Sequence, residues 1–171
     1  HVMVNVAATL GVGTVLNNII EQNQLSCSDY LEYCRAFAID GSSIGKATGN
    51  IVRRNLIEGM TIRSQYNGNG NTVTKNMFKH HRVGRVAPEA VQSVDMEGYA
   101  GPSQDNELSK NVFVDNPYGP CISFRSGANT KSGFVISDNV LLGCGGPNVV
   151  GYENVAISVQ DTPTVGDQTW L

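Results

Sequence analysis

At 171 residues, with 40% hydrophobic and 16% charged side chains, the chain is long enough for one domain with a sizeable core and too apolar to be disordered. Its formal net charge of −3 argues against a general nucleic-acid binder, which needs a surplus of Lys and Arg for phosphate contacts. No apolar run approaches the ~18 to 20 residues that span a bilayer, and 19 Gly together with abundant Asn, Ser, Thr and Val tilt the chain toward β-structure.

The opening "HVMVNVAATLGVGTVL" has no basic leader and is interrupted by Asn5 and Thr9, so it reads as folded structure and not as a signal peptide. Its "MVNVA" is the first of a series of short strands with alternating sides, continued by "AFAID", "MTIRS", "VDMEG", "CISFR" and "VAISV". Between the first two lies "SCSDYLEYCRAF", expected to hold a short helix with Tyr30, Leu31 and Cys34 on one side. Cys27 and Cys34 either close a disulfide or pack reduced beneath that loop; Cys121 and Cys144 flank one repeat, and no pairing follows for them. After the third strand comes "KHHRVGR", Lys79 to Arg85, the one basic concentration in an acidic chain. Residues 1–171 read as a single domain, expected to be part of a larger chain.

A second pattern recurs after each strand: "NIVRRNLI", "NTVTKNMF", "NELSKNVF" and "FVISDNVL". Alignment on one Asn gives Asn18, Asn55, Asn76, Asn111 and Asn139, preceded at three residues by Val15, Val52, Val73, Leu108 and Ile136 and followed each time by two apolar residues. The spacing is uneven, with a shortest unit of 21 residues, so loops of differing size interrupt a constant core. Asn tolerates left-handed backbone, and its amide can bond a like Asn in the layers above and below. Equivalent strands are therefore expected to stack in parallel ~4.8 Å apart around an internal Asn ladder.

The settings "VTKNMF" and "LSKNVF" resemble the "V-x-x-N-x-F" bend of the pectate-lyase-like superfamily. That resemblance, over roughly residues 4 to 159, implies an all-β fold: a right-handed, single-stranded parallel β-helix of about five coils with loop insertions. The scaffold hosts lyases, hydrolases, epimerases, phage tailspikes and adhesins, so it implies a place outside the cell or on a cell or virion surface without choosing an activity.

Strand alternation then separates inside from outside. Inward columns read Val4, Phe37, Met60, Val94, Ile122, Val155 and Val6, Ile39, Ile62, Met96, Phe124, Ile157. One outward column reads Ala7, Asp40, Arg63, Glu97, Arg125, Ser158, with Asp95 beside Glu97. As plain structure this is a charge ladder that helps to fix register. As a site it is a groove for an anionic glycan. The stretch "GPCISFRSGAN" resembles the "L-x-L-R-x-G" strand of the chondroitinase B and alginate lyase family, with Arg125 matching that family's Arg; the family's "E-x-K-S" is absent, since Glu97 is followed by Gly98 and Tyr99. For β-elimination, Arg63 or Arg125 would stabilise enolate-like charge and Tyr99 or Tyr66 would pass a proton. For hydrolysis, Asp40, Asp95 and Glu97 supply a carboxylate pair. No cofactor is required, although Asp95 and Glu97 are hard oxygen ligands suited to Ca²⁺.

Lys79, His80, His81 and Arg82 form a candidate substrate-binding flap, with Tyr66 as a further substrate contact. The expected function is recognition and depolymerisation of an anionic polysaccharide by a lyase or glycoside hydrolase; the alternative is a non-catalytic tailspike or adhesin shaft. The partner is then a polysaccharide, with no nucleic acid and no membrane. The edge at Val2 is expected to be covered by additional coils or by another chain, as in a homotrimer.

Overall fold

The computed structural model describes residues 2–7, 13–26, 35–40, 46–59, 61–65, 68–79, 94–98, 103–116, 121–126, 131–144 and 157–160. All regular structure among them is β-strand. The chain lays its strands down in layers. The first holds β1 (Val2–Ala7), β2 (Thr14–Leu16), β3 (Ile19–Glu21) and β4 (Gln24–Ser26). The second holds β5 (Arg35–Asp40), β6 (Lys46–Thr48), β7 (Ile51–Arg53) and β8 (Leu56–Glu58), and the third β9 (Thr61–Gln65), β10 (Gly68–Asn69), β11 (Thr72–Thr74) and β12 (Met77–Lys79). Then follow β13 (Val94–Gly98), β14 (Ser103–Gln104), β15 (Glu107–Ser109) and β16 (Val112–Asn116), next β17 (Ile122–Ser126), β18 (Lys131–Ser132), β19 (Val135–Ser137) and β20 (Val140–Cys144), and finally β21 (Ile157–Gln160).

Corresponding strands of successive layers pair in parallel, giving four sheets. Sheet A runs β1-β5-β9-β13-β17-β21; sheets B, C and D run from β2, β3 and β4 to β18, β19 and β20. This all-β arrangement of parallel sheets is compatible with a parallel β-helix.

The middle residue of each three-residue strand is buried or partly buried, as is Ser109 at the end of β15, and these middle residues stack into columns. In sheet C the column is Ile20, Val52, Val73, Leu108, Ile136; in sheet D it is Leu25, Ile57, Phe78, Phe113, Leu141. The Phe78 and Phe113 rings lie parallel, 8° apart in plane with centroids at 4.6 Å. Val52, Ile57, Val73, Phe78, Leu108 and Phe113 are buried, whereas Ile20, Leu25, Ile136 and Leu141 in the outer layers are partly buried. Stacking itself therefore makes the core, because an outer layer has a neighbour on one side only.

From sheet B to sheet C and from sheet C to sheet D the chain turns in two residues. The first takes a left-handed backbone, as at Asn17, Gln22, Gly49, Arg54, Gly70, Lys75, Asp105, Lys110, Gly133 and Asp138. The second is nearly always Asn, and there are two such corners in each layer. One ladder is Asn18, Asn50, Asn71, Asn106; the other is Asn23, Asn55, Asn76, Asn111, Asn139. Asn18 thus belongs to the B/C corner and not with Asn55, as the sequence alignment had it. The cause is the residue after each Asn. It faces outward, so Gln24 is tolerated there, and a rule requiring two apolar followers selects Asn18 and passes over Asn23. Ile20, not Val15, is accordingly the partner of Val52.

Cys121 and Cys144 form a disulfide with Cα atoms 5.6 Å apart, tying the entrance of β17 to the end of β20. Cys27, Cys34 and the expected short helix between them lie outside the described residues.

Candidate functional site

Sheet A carries the charged residues singled out above, and its register places them. Phe37 pairs with Ile62, then Val94, Ile122 and Ile157; Ile39 pairs with Ser64, then Met96, Phe124 and Val159. Phe37, Ile39 and Ile122 are fully buried. Met60 and Val155 lie outside the described residues, and Ser64 takes the place expected for Ile62.

The charged columns shift accordingly. One reads Asn5, Ala38, Arg63, Asp95, Ser123, Ser158; the other reads Ala7, Asp40, Gln65, Glu97, Arg125, Gln160. Arg63 therefore pairs with Ala38 and Asp95, not with Asp40 and Glu97. Arg125 keeps Glu97 on one side and has Gln160, not Ser158, on the other. A slip of one residue would turn every side chain to the opposite face, but a slip of two leaves the alternation intact, so hydrophobic pattern cannot detect it. An irregularity between Arg35 and Phe37, where β5 meets β9, changes register by one residue and is separate from this slip of two.

Register thus joins Arg63 to Asp95 and Glu97 to Arg125 across neighbouring strands, with Asp95 and Glu97 two apart in β13. It does not join Arg63 to Glu97. Gln65 and Gln160 stand in the Asp40, Glu97, Arg125 column and were missed; only the true register could have found them.

Lys79 is the last residue of β12 in sheet D, between Glu58 and Val114, and so belongs to a different sheet from the charged columns. Tyr66, His80, His81, Arg82 and Tyr99 lie outside the described residues. Among the described residues no group of three or more His, Cys, Asp or Glu side chains gathers as a metal site.

A separate ion pair sits on sheet C. Arg53 Nε donates to Glu21 Oε2 at 2.6 Å between paired strand positions, both side chains being about one-third exposed. That hydrogen bond, and then the charge of the guanidinium, hold the Glu21 carboxyl below its ordinary value despite some desolvation, and the same contacts raise Arg53. In the same register column, the Thr74 hydroxyl and that of the buried Ser109 are 3.0 Å apart.

Comparison of the chain with protein-family models, with curated proteins and with solved structures finds no match.

Proposed function

We propose that the chain is a right-handed parallel β-helix of the pectate-lyase-like kind, about five coils long, and that sheet A carries a track that binds and cleaves an anionic polysaccharide outside the cell. The observation that carries this reading is the pair of adjacent columns in sheet A, which combine two cations, three carboxylates and two glutamines over six stacked strands. Six strands at ~4.8 Å extend over roughly 24 Å, a length that suits several sugar units of an extended polymer.

Two chemistries suit these residues. In β-elimination, a base removes the proton α to the uronate carboxyl, Arg125 or Arg63 stabilises the enolate-like charge, the bond to the leaving oxygen breaks and that oxygen is protonated. In hydrolysis, Asp95 and Glu97 divide the acid and base or nucleophile roles. Each Arg has one acidic register neighbour, Asp95 for Arg63 and Glu97 for Arg125; Arg125 is the better candidate for a uronate contact because its other neighbour is Gln160, a second hydrogen-bonding group, where Arg63 has Ala38. The Cys121–Cys144 disulfide supports an oxidising, extracellular location.

A second reading, a non-catalytic glycan-binding or supporting shaft, is favoured by the opposite signs of Arg63 and Asp95 and of Glu97 and Arg125, which suit mutual pairing. The test is incubation with alginate, pectate, chondroitin and bacterial capsules, following unsaturated uronate absorbance and new reducing ends. On a substrate that the wild type cleaves, Arg125→Ala should lower turnover about 30- to 1000-fold, with Lys rescuing only in part. Neither signal across the panel, or turnover unaffected by Arg125→Ala and Arg63→Ala alike, would contradict the track.

A further inference from the structure

The corner between sheets C and D holds one residue of left-handed backbone in each layer, and in successive layers these are Gln22, Arg54, Lys75, Lys110 and Asp138. Their register follows from the strand residues just before them, Glu21, Arg53, Thr74, Ser109 and Ser137, which pair in that order. At the B/C corner the same conformation is filled by Asn17, Gly49, Gly70, Asp105 and Gly133, residue types that adopt it at least cost. The C/D corner departs from that rule in three consecutive layers, where Arg54, Lys75 and Lys110 take φ of 55°, 57° and 56°. All three side chains are exposed.

Stability alone disfavours this column. Like charges opposite one another on adjacent strands destabilise a sheet, and the pairs Glu21 with Arg53 and Glu97 with Arg125 follow the opposite pattern, alternating in sign. Arg54, Lys75 and Lys110 instead stack three cations at intervals of ~4.8 Å. They are three of the 12 Lys and Arg in a chain of net charge −3. Among the described residues none of the three meets a carboxylate within ion-pair distance; the nearby Glu21 is already held by Arg53. The run ends at Asp138 in the next layer.

We propose that the line of Arg54, Lys75 and Lys110 binds a linear anionic polysaccharide lying along the stack, one charged group to each cation. The flanks select a sugar polymer among polyanions. On sheet D the column beside the line is Leu56, Met77, Val112 and Val140, with Met77 36% and Val140 47% exposed, an apolar strip suited to the C–H face of a pyranose ring. On sheet C the flanking column of Thr74, Ser109 and Ser137 carries hydroxyls. Duplex DNA presents a charge every ~1.7 Å of its axis, far denser than this line, and single strands are held on aromatic platforms, which neither flank supplies. The line stands on a different part of the fold from the sheet A columns and does not rest on catalysis there.

The experiment titrates isotope-labelled protein with oligogalacturonate, with a chondroitin sulfate oligosaccharide and, as the neutral control, with a malto-oligosaccharide of equal length. Expected are shifts of the Arg54, Lys75 and Lys110 backbone amides with at least one anionic probe and none with the neutral one, weakening as sodium chloride is added. Which probe binds distinguishes carboxylate from sulfate. Gln22 holds the corner conformation, so the triple variant Arg54→Gln, Lys75→Gln, Lys110→Gln keeps the backbone. It should bind at least about tenfold more weakly while melting no lower than the wild type. The wild-type titration decides the matter should that variant fail to fold. No shift at millimolar anionic probe, equal affinity of the triple variant, or corner shifts from duplex DNA or phosphatidylserine vesicles but from neither polysaccharide would overturn the proposal. Shifts confined to sheet A around Arg125 would overturn it and leave the track standing, whereas corner shifts with no response in sheet A would uphold it without the track.

Discussion

The carboxamide oxygen of Asn76 accepts two hydrogen bonds from one residue, the backbone N–H of Asn55 at 3.0 Å and the Asn55 side-chain amide at 2.9 Å. Both residues are almost wholly buried, so these donors have no water to turn to. Asn76→Ala strands both and also frees Val52 O. It should destabilise the protein by about 2 to 4 kcal/mol in urea unfolding, whereas Asn23→Ala, at an exposed position that meets no earlier layer among the described residues, should cost less than about 1 kcal/mol. Equal losses would show that burial of the ladder is not what makes it matter.

Gly70 has a left-handed backbone, with φ of 61°, and an added Cβ there would meet nothing within 4 Å. Gly70→Ala therefore isolates backbone strain and should cost about 1 kcal/mol. Gly70→Asn should cost less, since Lys75, Asp105 and Asp138 hold the same conformation at equivalent corners and Asn tolerates it better than Ala. Thermal melts of the two variants read the difference.

The Cys121–Cys144 bond closes a loop with a sequence separation of 23. Chain entropy predicts that replacing both residues with Ser lowers stability by about 3 kcal/mol, and that a reductant lowers the wild-type midpoint while leaving the double variant unmoved. A midpoint unaffected by reductant would argue against the bond in solution.

Glu21 has a carboxyl held below its ordinary value in the folded protein. A group depressed on folding contributes stability above its unfolded value and loses that contribution as pH falls through the folded one. Unfolding curves should thus show wild type and Glu21→Gln converging on the acid side of the ordinary carboxylate range, with the wild type favoured at neutral pH. Both side chains of the pair are about one-third exposed, so added salt should shrink the gap.

Much of the fold was legible because its signals repeat. Val52, Val73, Leu108 and Ile136 announce one column, and Asn55, Asn76, Asn111 and Asn139 announce one ladder, since buried positions admit few residue types. The second ladder was in plain view, as Asn50, Asn71 and Asn106, each five residues before its partner, but its side chains do the same work and so look like the same signal. Arg63 was misplaced for a different reason. Its face follows from alternation, while its layer-to-layer partner follows from the register between strands, which the residue types do not report. Glu97 beside Arg125 was legible in the sequence, whereas the pairing of Arg63 with Asp95 follows only from the register of β9 on β13.

Side-chain amide hydrogen exchange, followed by nuclear magnetic resonance, tests the layered ladder most directly. The account requires the Nδ2 protons of Asn55, Asn76 and Asn111, each held by the next Oδ1 and by a carbonyl of the preceding layer, to exchange at least ~100-fold more slowly than those of Asn18 and Asn23 at the leading edge. Exchange of Asn76 as fast as that of Asn23 would contradict it.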